Sequence, residues 1–128
     1  LREAVGAGKR PVPAILPALD SFKRLEERIA RRDYGPETLA LARKGGADFP
    51  ASIVALFYLG NLELIHNDPA GAAEKLAKVV RADAGNMGAK LNLGQAYKRL
   101  GRAAEAADLF RQVLAVDPNN AMARQELK

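Results

Sequence analysis

The sequence contains no cysteine, which excludes disulfides and thiolate metal sites. It also has no tryptophan and only 5% aromatic residues, and no run of Val, Ile, Thr and aromatic residues suggests a strand. Alanine is abundant instead, and it combines the highest helix propensity with a small side chain that lets helix axes approach closely. The 128 residues therefore predict an all-α protein of about one domain.

Residues suited to catalysis are scarce as well. His66 is the one histidine, and the serine and threonine hydroxyls are limited to Ser21, Thr38 and Ser52. No second base is spaced to activate a hydroxyl, and His66 is expected to end a helix, where a cation is favourable. The sequence predicts a protein that is not an enzyme and that has no cofactor and no metal site.

The hydropathy and charge of the chain limit its partners. The most apolar run, Ala51–Ile65, is shorter than the roughly 20 residues of a membrane span and contains Asn61 and Glu63. We therefore expect no membrane span and a soluble chain, with the compartment, cytoplasmic or periplasmic, left open. The net charge of +5 makes nucleic acid a possible partner. The basic N-terminal residues are interleaved with Glu26 and Glu27 and lack aromatic stacking platforms, which favours a solvated helix face.

The sequence aligns with itself at a shift of 34 residues, so that 53–86 falls on 87–120 without a gap. The matched pairs are Leu59 with Leu93, Gly60 with Gly94, Ala72 with Ala106, Leu76 with Phe110, Val79 with Val113, Asp83 with Asp117 and Asn86 with Asn120. A period of this length, kept over many positions, is typical of a helical repeat protein.

These residues resemble the tetratricopeptide repeat (TPR) family, whose pattern places Leu-Gly and an aromatic residue on a first helix. Its second helix carries Ala and an aromatic residue and is followed by Pro. The unit 87–120 matches closely, with Tyr97 and Phe110 as its aromatic residues. The departures are Glu63 in place of an aromatic residue, Ala84 in place of Pro, and Lys90 in place of a large apolar residue. The resemblance implies a right-handed superhelix of antiparallel helix pairs that serves protein–protein interaction.

Physical reasons for the pattern can be read from the residues. Gly60 and Gly94 fall in the middle of helices, where glycine costs about 1 kcal/mol relative to alanine. Close contact with the partner helix, which carries Ala72 and Ala106, is the expected compensation. Gly101 is predicted to end a helix through a positive φ, and Asp68-Pro69 is predicted to start one.

The same period divides the whole chain. We expect an N-terminal helix and proline-broken linker at 1–18, a degenerate TPR-like helix pair at 19–52, repeats at 53–86 and 87–120, and the start of a capping helix at 121–128. Within 19–52, Pro36 would open the second helix and Gly45-Gly46 would end it early. The start at Leu1 rather than Met suggests a piece of a longer, bacterial protein, given the Ala- and Arg-rich composition.

The first helices of such pairs line a concave groove, and residues three and four apart share one helix face. The predicted partner-binding groove is Val54, Phe57, Asn61, Leu64, Leu91, Asn92, Gln95, Lys98 and Met122. This face is apolar with a few amides, which suits an extended peptide or a partner helix. A second copy of the chain, or another helix of its parent protein, would also cover it.

Some TPR proteins hold the C-terminal carboxylate of a partner through a clamp of two Asn residues and three basic residues. Asn61 and Asn92 match the two Asn positions, whereas Phe57, Met122 and Glu126 replace the basic ones. The resemblance therefore implies a groove without a carboxylate clamp.

The leading hypothesis is a protein–protein interaction scaffold that binds a protein or peptide in this groove. The alternative is a dimerising or structural tail of an enzyme, with the groove covered in a homodimer. Nucleic-acid binding through the N-terminal basic face is the third hypothesis.

Overall fold

A computed structural model of the chain describes residues 12–128, in which every regular element is an α-helix and no strand occurs. The seven helices of this part are α1 (Val12–Ala30), α2 (Pro36–Asp48), α3 (Ile53–Ile65), α4 (Pro69–Ala82), α5 (Met87–Arg99), α6 (Ala103–Val116) and α7 (Ala121–Glu126). Each helix packs against the next one in the chain, and α3 also touches α5. The all-α prediction is confirmed, as is the arrangement in antiparallel pairs.

Side-chain caps start three of the helices at intervals of 34 residues. Ser52, Asn86 and Asn120 each accept a hydrogen bond from the backbone N–H three residues further on, at 3.1, 3.0 and 3.0 Å. Such caps satisfy amide groups that have no partner inside the helix. Asp68 caps α4 in the same way, with Pro69 in the first turn, as predicted. The 34-residue period therefore appears in the capping residues at the helix starts as well as in the core residues.

The turn inside each helix pair contains one residue in the left-handed region. These residues are Arg32 with φ 60°, Asn67 with φ 64° and Gly101 with φ 80°. Glycine adopts this backbone conformation without strain, whereas a residue with a Cβ atom, such as Arg32, is strained in it. The prediction for Gly101 is confirmed, and the other two turns reach the same geometry without glycine.

The core is a row of small clusters between neighbouring helices. Leu25, Leu39, Ala42, Leu59 and Leu62 fill the first cluster, between α1, α2 and α3. The second is centred on Leu76, Val79, Ala89 and Leu93, and the third on Ala106, Phe110, Val113 and Ala123. Because the clusters follow one another along the chain, no single centre holds the fold together.

Gly60 and Gly94 allow the closest helix contacts. A Cβ atom on Gly60 would lie 2.8 Å from Leu76 Cγ, and one on Gly94 would lie 2.7 Å from two ring carbons of Phe110. The predicted close approach is therefore present, but the atoms that fill the space are the large side chains Leu76 and Phe110. The alanines Ala72 and Ala106 are buried nearby on the same helices.

Two sequence predictions about the N-terminal half are wrong. Helix α1 runs through Pro17 without a break, so the described residues 12–18 form helix and not a proline-broken linker; residues 1–11 lie outside the described part. Pro17 lies in the second turn, where its missing N–H affects only the start of the helix. Gly45-Gly46 does not end α2, which continues to Asp48. A Cβ on Gly45 would lie 3.1 Å from the Phe22 ring, so this glycine serves the packing of α2 against α1.

None of the helices within 12–128 combines the length and the apolar character required to cross a bilayer.

Candidate functional site

A concave pocket of about 340 Å³ lies where α1, α3 and α5 meet, beside the turn between α1 and α2. Its lining consists of Ile29, Tyr34, Phe57, Tyr58, Asn61, Leu62, Leu64, Ile65 and Asn92. All nine residues are uncharged, and only the two asparagines and the two tyrosines carry polar side-chain atoms. A pocket that is mainly apolar, with a few polar groups placed together, is the usual form of a binding site.

The two asparagines meet at this pocket. Asn92 Nδ2 donates a hydrogen bond of 2.8 Å to Asn61 Oδ1, which joins α5 to α3. Each amide side chain offers two N–H donors and a carbonyl acceptor, so the pair keeps the amide nitrogen of Asn61 and the carbonyl of Asn92. Neither group has another hydrogen-bond partner within 12–128. The pair therefore keeps a free donor group and a free acceptor group, the two kinds of group that bind the C=O and the N–H of a peptide backbone.

The structure distributes the other predicted groove residues over several environments. Phe57 and Leu64 line the pocket, although Leu64 is buried and belongs mainly to the core. Leu91 packs against the third core cluster. Val54 and Met122 are exposed, but neither lines the pocket. Of the nine predicted groove residues, Phe57, Asn61, Leu64 and Asn92 line the concave pocket, and their role in binding stays a prediction.

Gln95 and Lys98 are engaged with the last helix. Both donate hydrogen bonds to the carboxylate of Glu126 on α7, with 2.8 Å between Gln95 Nε2 and Glu126 Oε2. Lys98 is therefore neutralised by an ion pair, and the groove gains no positive charge from it. These two residues hold α7 against α5, and their predicted role in binding a partner stays a prediction.

We expect the docking of α7 to depend on pH, because it includes the ion pair and hydrogen bond of the Glu126 carboxylate. The hydrogen bonds from Lys98 and then Gln95 lower the pKa of the Glu126 carboxyl, although burial opposes them. Because the folded pKa is depressed, the stabilisation is present above the ordinary glutamate pKa and is lost as the pH falls through the folded value. We expect acidification from about pH 6 to about pH 3, across the ordinary glutamate value near 4.3, to release α7.

The methyl NMR signal of Met122 on α7 measures this release. In the wild-type chain it should move toward its unfolded position on acidification, while Glu126→Gln should give a partly released α7 at every pH. Glu27→Gln, a change on α1, is the matched control and should leave the Met122 profile unchanged. If the Met122 signal depends on pH in the same way in Glu126→Gln and in the wild type, Glu126 is not the group that makes α7 docking sensitive to pH.

Five pocket residues were absent from the predicted groove: Ile29, Tyr34, Tyr58, Leu62 and Ile65. Ile29 lies on α1, outside the two repeats from which the groove was predicted, and Tyr34 lies in a turn that no helical spacing could place. Tyr58 directs its hydroxyl toward α1, where it donates to Glu26 Oε2 at 3.3 Å. Burial and the Glu26 charge raise the pKa of the Tyr58 phenol. Ile65 follows Leu64 directly and lies four residues after Asn61, and this spacing was the feature of the sequence that could have placed Ile65 in the groove.

His66 ends α3, as expected, and its ring joins two helix pairs. The distance from His66 Nε2 to the carbonyl oxygen of Tyr34 is 2.7 Å. Since a carbonyl only accepts, Nε2 must carry the proton, which defines the neutral tautomer as the Nε2–H form. This histidine therefore holds the turn that carries Tyr34.

The basic residues of α1 are partly paired with acids. Arg28 contacts both Asp33 and Glu37, at 3.2 and 3.3 Å, and Arg24 contacts Asp20 at 3.1 Å. The Gly35 backbone N–H lowers the pKa of Asp33, and Arg28 adds to this effect. Within 12–128 no group of three acidic or histidine side chains is placed to hold a metal ion.

Comparisons with known proteins place the chain in context. A sequence model of the tetratricopeptide repeat family matches residues 63–127, whereas curated protein sequences give no match. The solved structures that resemble the chain include MamA, at 16% identity and a TM-score of 0.74 over 85% of this chain. The chain spans 59% of the MamA chain.

Two further structures contain bound peptides. The first TPR of Spaghetti (RPAP3), bound to the HSP90 peptide SRMEEVD, shares 23% identity over 86% of both chains, with a TM-score of 0.73. The second TPR domain of human RPAP3, in complex with the HSP70 peptide SGPTIEEVD, shares 21% identity over 88% of this chain and 92% of that one, with a TM-score of 0.71. At these identities the likeness establishes the fold.

Proposed function

Since the chain belongs to the tetratricopeptide repeat family, we propose that it is a protein-interaction module whose concave groove binds a segment of a partner protein. The observation that carries this proposal is the Asn61–Asn92 pair, which presents one donor and one acceptor at the edge of an apolar pocket. A peptide backbone needs this combination, because each peptide group has one N–H and one C=O. The peptide-bound RPAP3 structures support the same use of the fold.

The proposal includes the absence of catalysis by this chain. Ser21 and Thr38 are buried, and the Ser52 hydroxyl accepts the capping hydrogen bond of α3. The His66 ring is committed to the Tyr34 carbonyl. No serine or threonine hydroxyl within 12–128 is therefore both accessible and next to a base, which nucleophilic catalysis requires.

A peptide selection tests the groove. The chain is immobilised and panned against a random 12-residue peptide library, and the affinity of each enriched peptide is measured by fluorescence anisotropy. We expect Asn61→Ala with Asn92→Ala to weaken binding about tenfold or more, because two backbone hydrogen bonds of about 1 kcal/mol each are lost. Circular dichroism should report unchanged helicity, since both side chains are only partly buried.

Lys78→Ala with Arg81→Ala is the matched control, because both residues lie on α4 outside the pocket. Its affinity for the selected peptides should equal that of the wild type. Peptides that keep full affinity for the double asparagine variant bind elsewhere, and this result would refute the proposal that the groove binds peptides.

Self-association is the competing function, in which a second copy covers the groove. Sedimentation equilibrium separates the two, because a dimer that persists at all concentrations, and that the selected peptides do not dissociate, supports the covered groove. The bacterial origin and the use of the chain as part of a longer protein stay predictions.

A further inference from the structure

Two large side chains at the rim of the pocket are exposed although they belong to an apolar lining. Tyr34 and Ile65 have relative exposures of 39% and 55%, and both face the same pocket as Phe57 and Ile29. Exposed apolar groups that lie singly need no explanation, but a group gathered around a concavity marks a binding surface.

The wall that carries Tyr34 is held in place by several contacts. The His66 ring donates to the Tyr34 carbonyl at 2.7 Å. On the other side of Tyr34, the Asp33 carboxylate accepts from the Gly35 N–H at 3.1 Å and contacts Arg28. A turn fixed on both sides gives the pocket a defined shape before a ligand arrives, which lowers the cost of binding.

The size and chemistry of the pocket indicate its occupant. A volume of about 340 Å³ lies at the small end of the 300 to 1,000 Å³ found for ligand sites, so it suits one side chain with its backbone. The lining has no charge to balance an acidic side chain or a C-terminal carboxylate. The amide pair supplies what a neutral peptide group needs, next to the apolar walls.

We propose that this pocket accepts one large uncharged side chain, aromatic or leucine-sized, from an internal segment of the partner, while the Asn61–Asn92 pair bonds the adjacent peptide group. This inference rests on the proposed function and specifies its ligand. Tyr34 and Ile65 are the specificity-determining residues, and His66 is a positioning residue that acts through Tyr34.

Capped amino acids test the pocket without knowledge of the partner. N-acetyl-phenylalanine N-methylamide carries one large side chain between two peptide groups, and its alanine and glutamate analogues are the comparison probes. Each is titrated into the full chain with labelled isoleucine methyl groups. We expect the phenylalanine probe to shift the Ile29 and Ile65 signals in a saturable manner. The alanine and glutamate probes should bind with at least tenfold lower affinity, because they bury less apolar surface.

Ile65→Ser should weaken the phenylalanine probe about fivefold or more, because it removes part of the apolar wall. Since Ile65 is half exposed, this variant should fold, and Val116→Ser, at a position with 72% exposure outside the pocket, is the matched control. His66→Ala should weaken the probe by a smaller factor, and it should also shift the Tyr34 ring signals in the free chain.

The proposed role of the pocket is overturned if the phenylalanine and alanine probes bind equally well. It is also overturned if the Ile65→Ser variant binds the phenylalanine probe with wild-type affinity. A stable dimer in which Ile65 is protected would overturn it as well, since a second copy would then be the occupant. If the probe fails while selected peptides still depend on the asparagine pair, only the pocket assignment is lost. If those peptides also fail to depend on the pair, the proposed function fails with it.

Discussion

Replacement of Gly94 by alanine is expected to lower the free energy of unfolding by about 3 kcal/mol, the upper part of the range for overpacked cores. The added Cβ would lie 2.7 Å from two carbons of the Phe110 ring. That ring is only 2% exposed and is enclosed by the third core cluster, so it cannot move aside without displacing α6. Urea unfolding followed by circular dichroism measures the change.

Gly88→Ala is the matched control on the same helix. A Cβ there would have ordinary contacts, with Asn86 Oδ1 at 3.5 Å and Phe57 Cζ at 3.6 Å. Because alanine favours the helix, this variant should be stabilised by up to about 1 kcal/mol. Phe110→Leu should recover part of the loss when combined with Gly94→Ala, since it removes the ring that obstructs the Cβ. Similar stabilities of Gly94→Ala and Gly88→Ala would mean that close packing does not explain Gly94.

The second large effect is expected at the buried ion pair of Glu63 and Lys75. Glu63 is 4% exposed, and its Oε2 lies 3.1 Å from the Lys75 amine, whereas Oε1 is buried without a partner in the described residues. Lys75→Met would leave this carboxylate buried and unpaired. We expect a loss of about 3 kcal/mol, at the low end for broken buried pairs because Lys75 keeps partial solvent access.

Two variants determine whether the buried charge causes this loss. Glu63→Met with Lys75→Met removes both charges and should return close to wild-type stability, as apolar replacement of buried pairs often does. Lys44→Met breaks the solvent-accessible pair with Asp48 and should cost no more than about 1 kcal/mol. A double variant as unstable as Lys75→Met alone would show that the lost packing of Lys75, and not the charge, matters. All four chains are compared by urea unfolding.

The helical architecture could be predicted because its causes are local and repeat along the sequence. The caps Ser52, Asn86 and Asn120 and the glycines Gly60 and Gly94 each recur at the same spacing, and each has a direct physical effect on one helix. The N-terminal pair departs from this regularity, and there the local signals were misleading. Pro17 and Gly45 suggest breaks when read alone, yet Pro17 lies near the start of α1, where proline is tolerated, and Gly45 lets α2 pack against the Phe22 ring of α1.

The site could be predicted only where helical spacing determines which residues share a face. Asn61 was predicted in this way, and Asn92 because it lies beside the corresponding face of the next repeat and matches an asparagine position of the TPR resemblance. Tyr34 could not be found, since its position depends on the His66 contact with a residue 32 positions away. Nor does spacing reveal that Gln95 and Lys98 donate hydrogen bonds to the Glu126 carboxylate. Contacts between separate helix pairs depend on the stacking of the pairs.

The dependence of each helix on its sequence neighbours also bears on how the chain acquires its structure. Apart from α3 with α5, the extensive contacts among the described helices join consecutive ones, so little loop-closure entropy is lost before a contact forms. Chains of low contact order fold quickly, and a linear array can nucleate at any pair and grow toward both ends. The Asn61–Asn92 pair joins two adjacent helix pairs, so it can form only after both are folded and stacked. We therefore expect the proposed groove to be completed late in assembly, and fraying of either neighbouring helix pair to disrupt it before the whole chain unfolds.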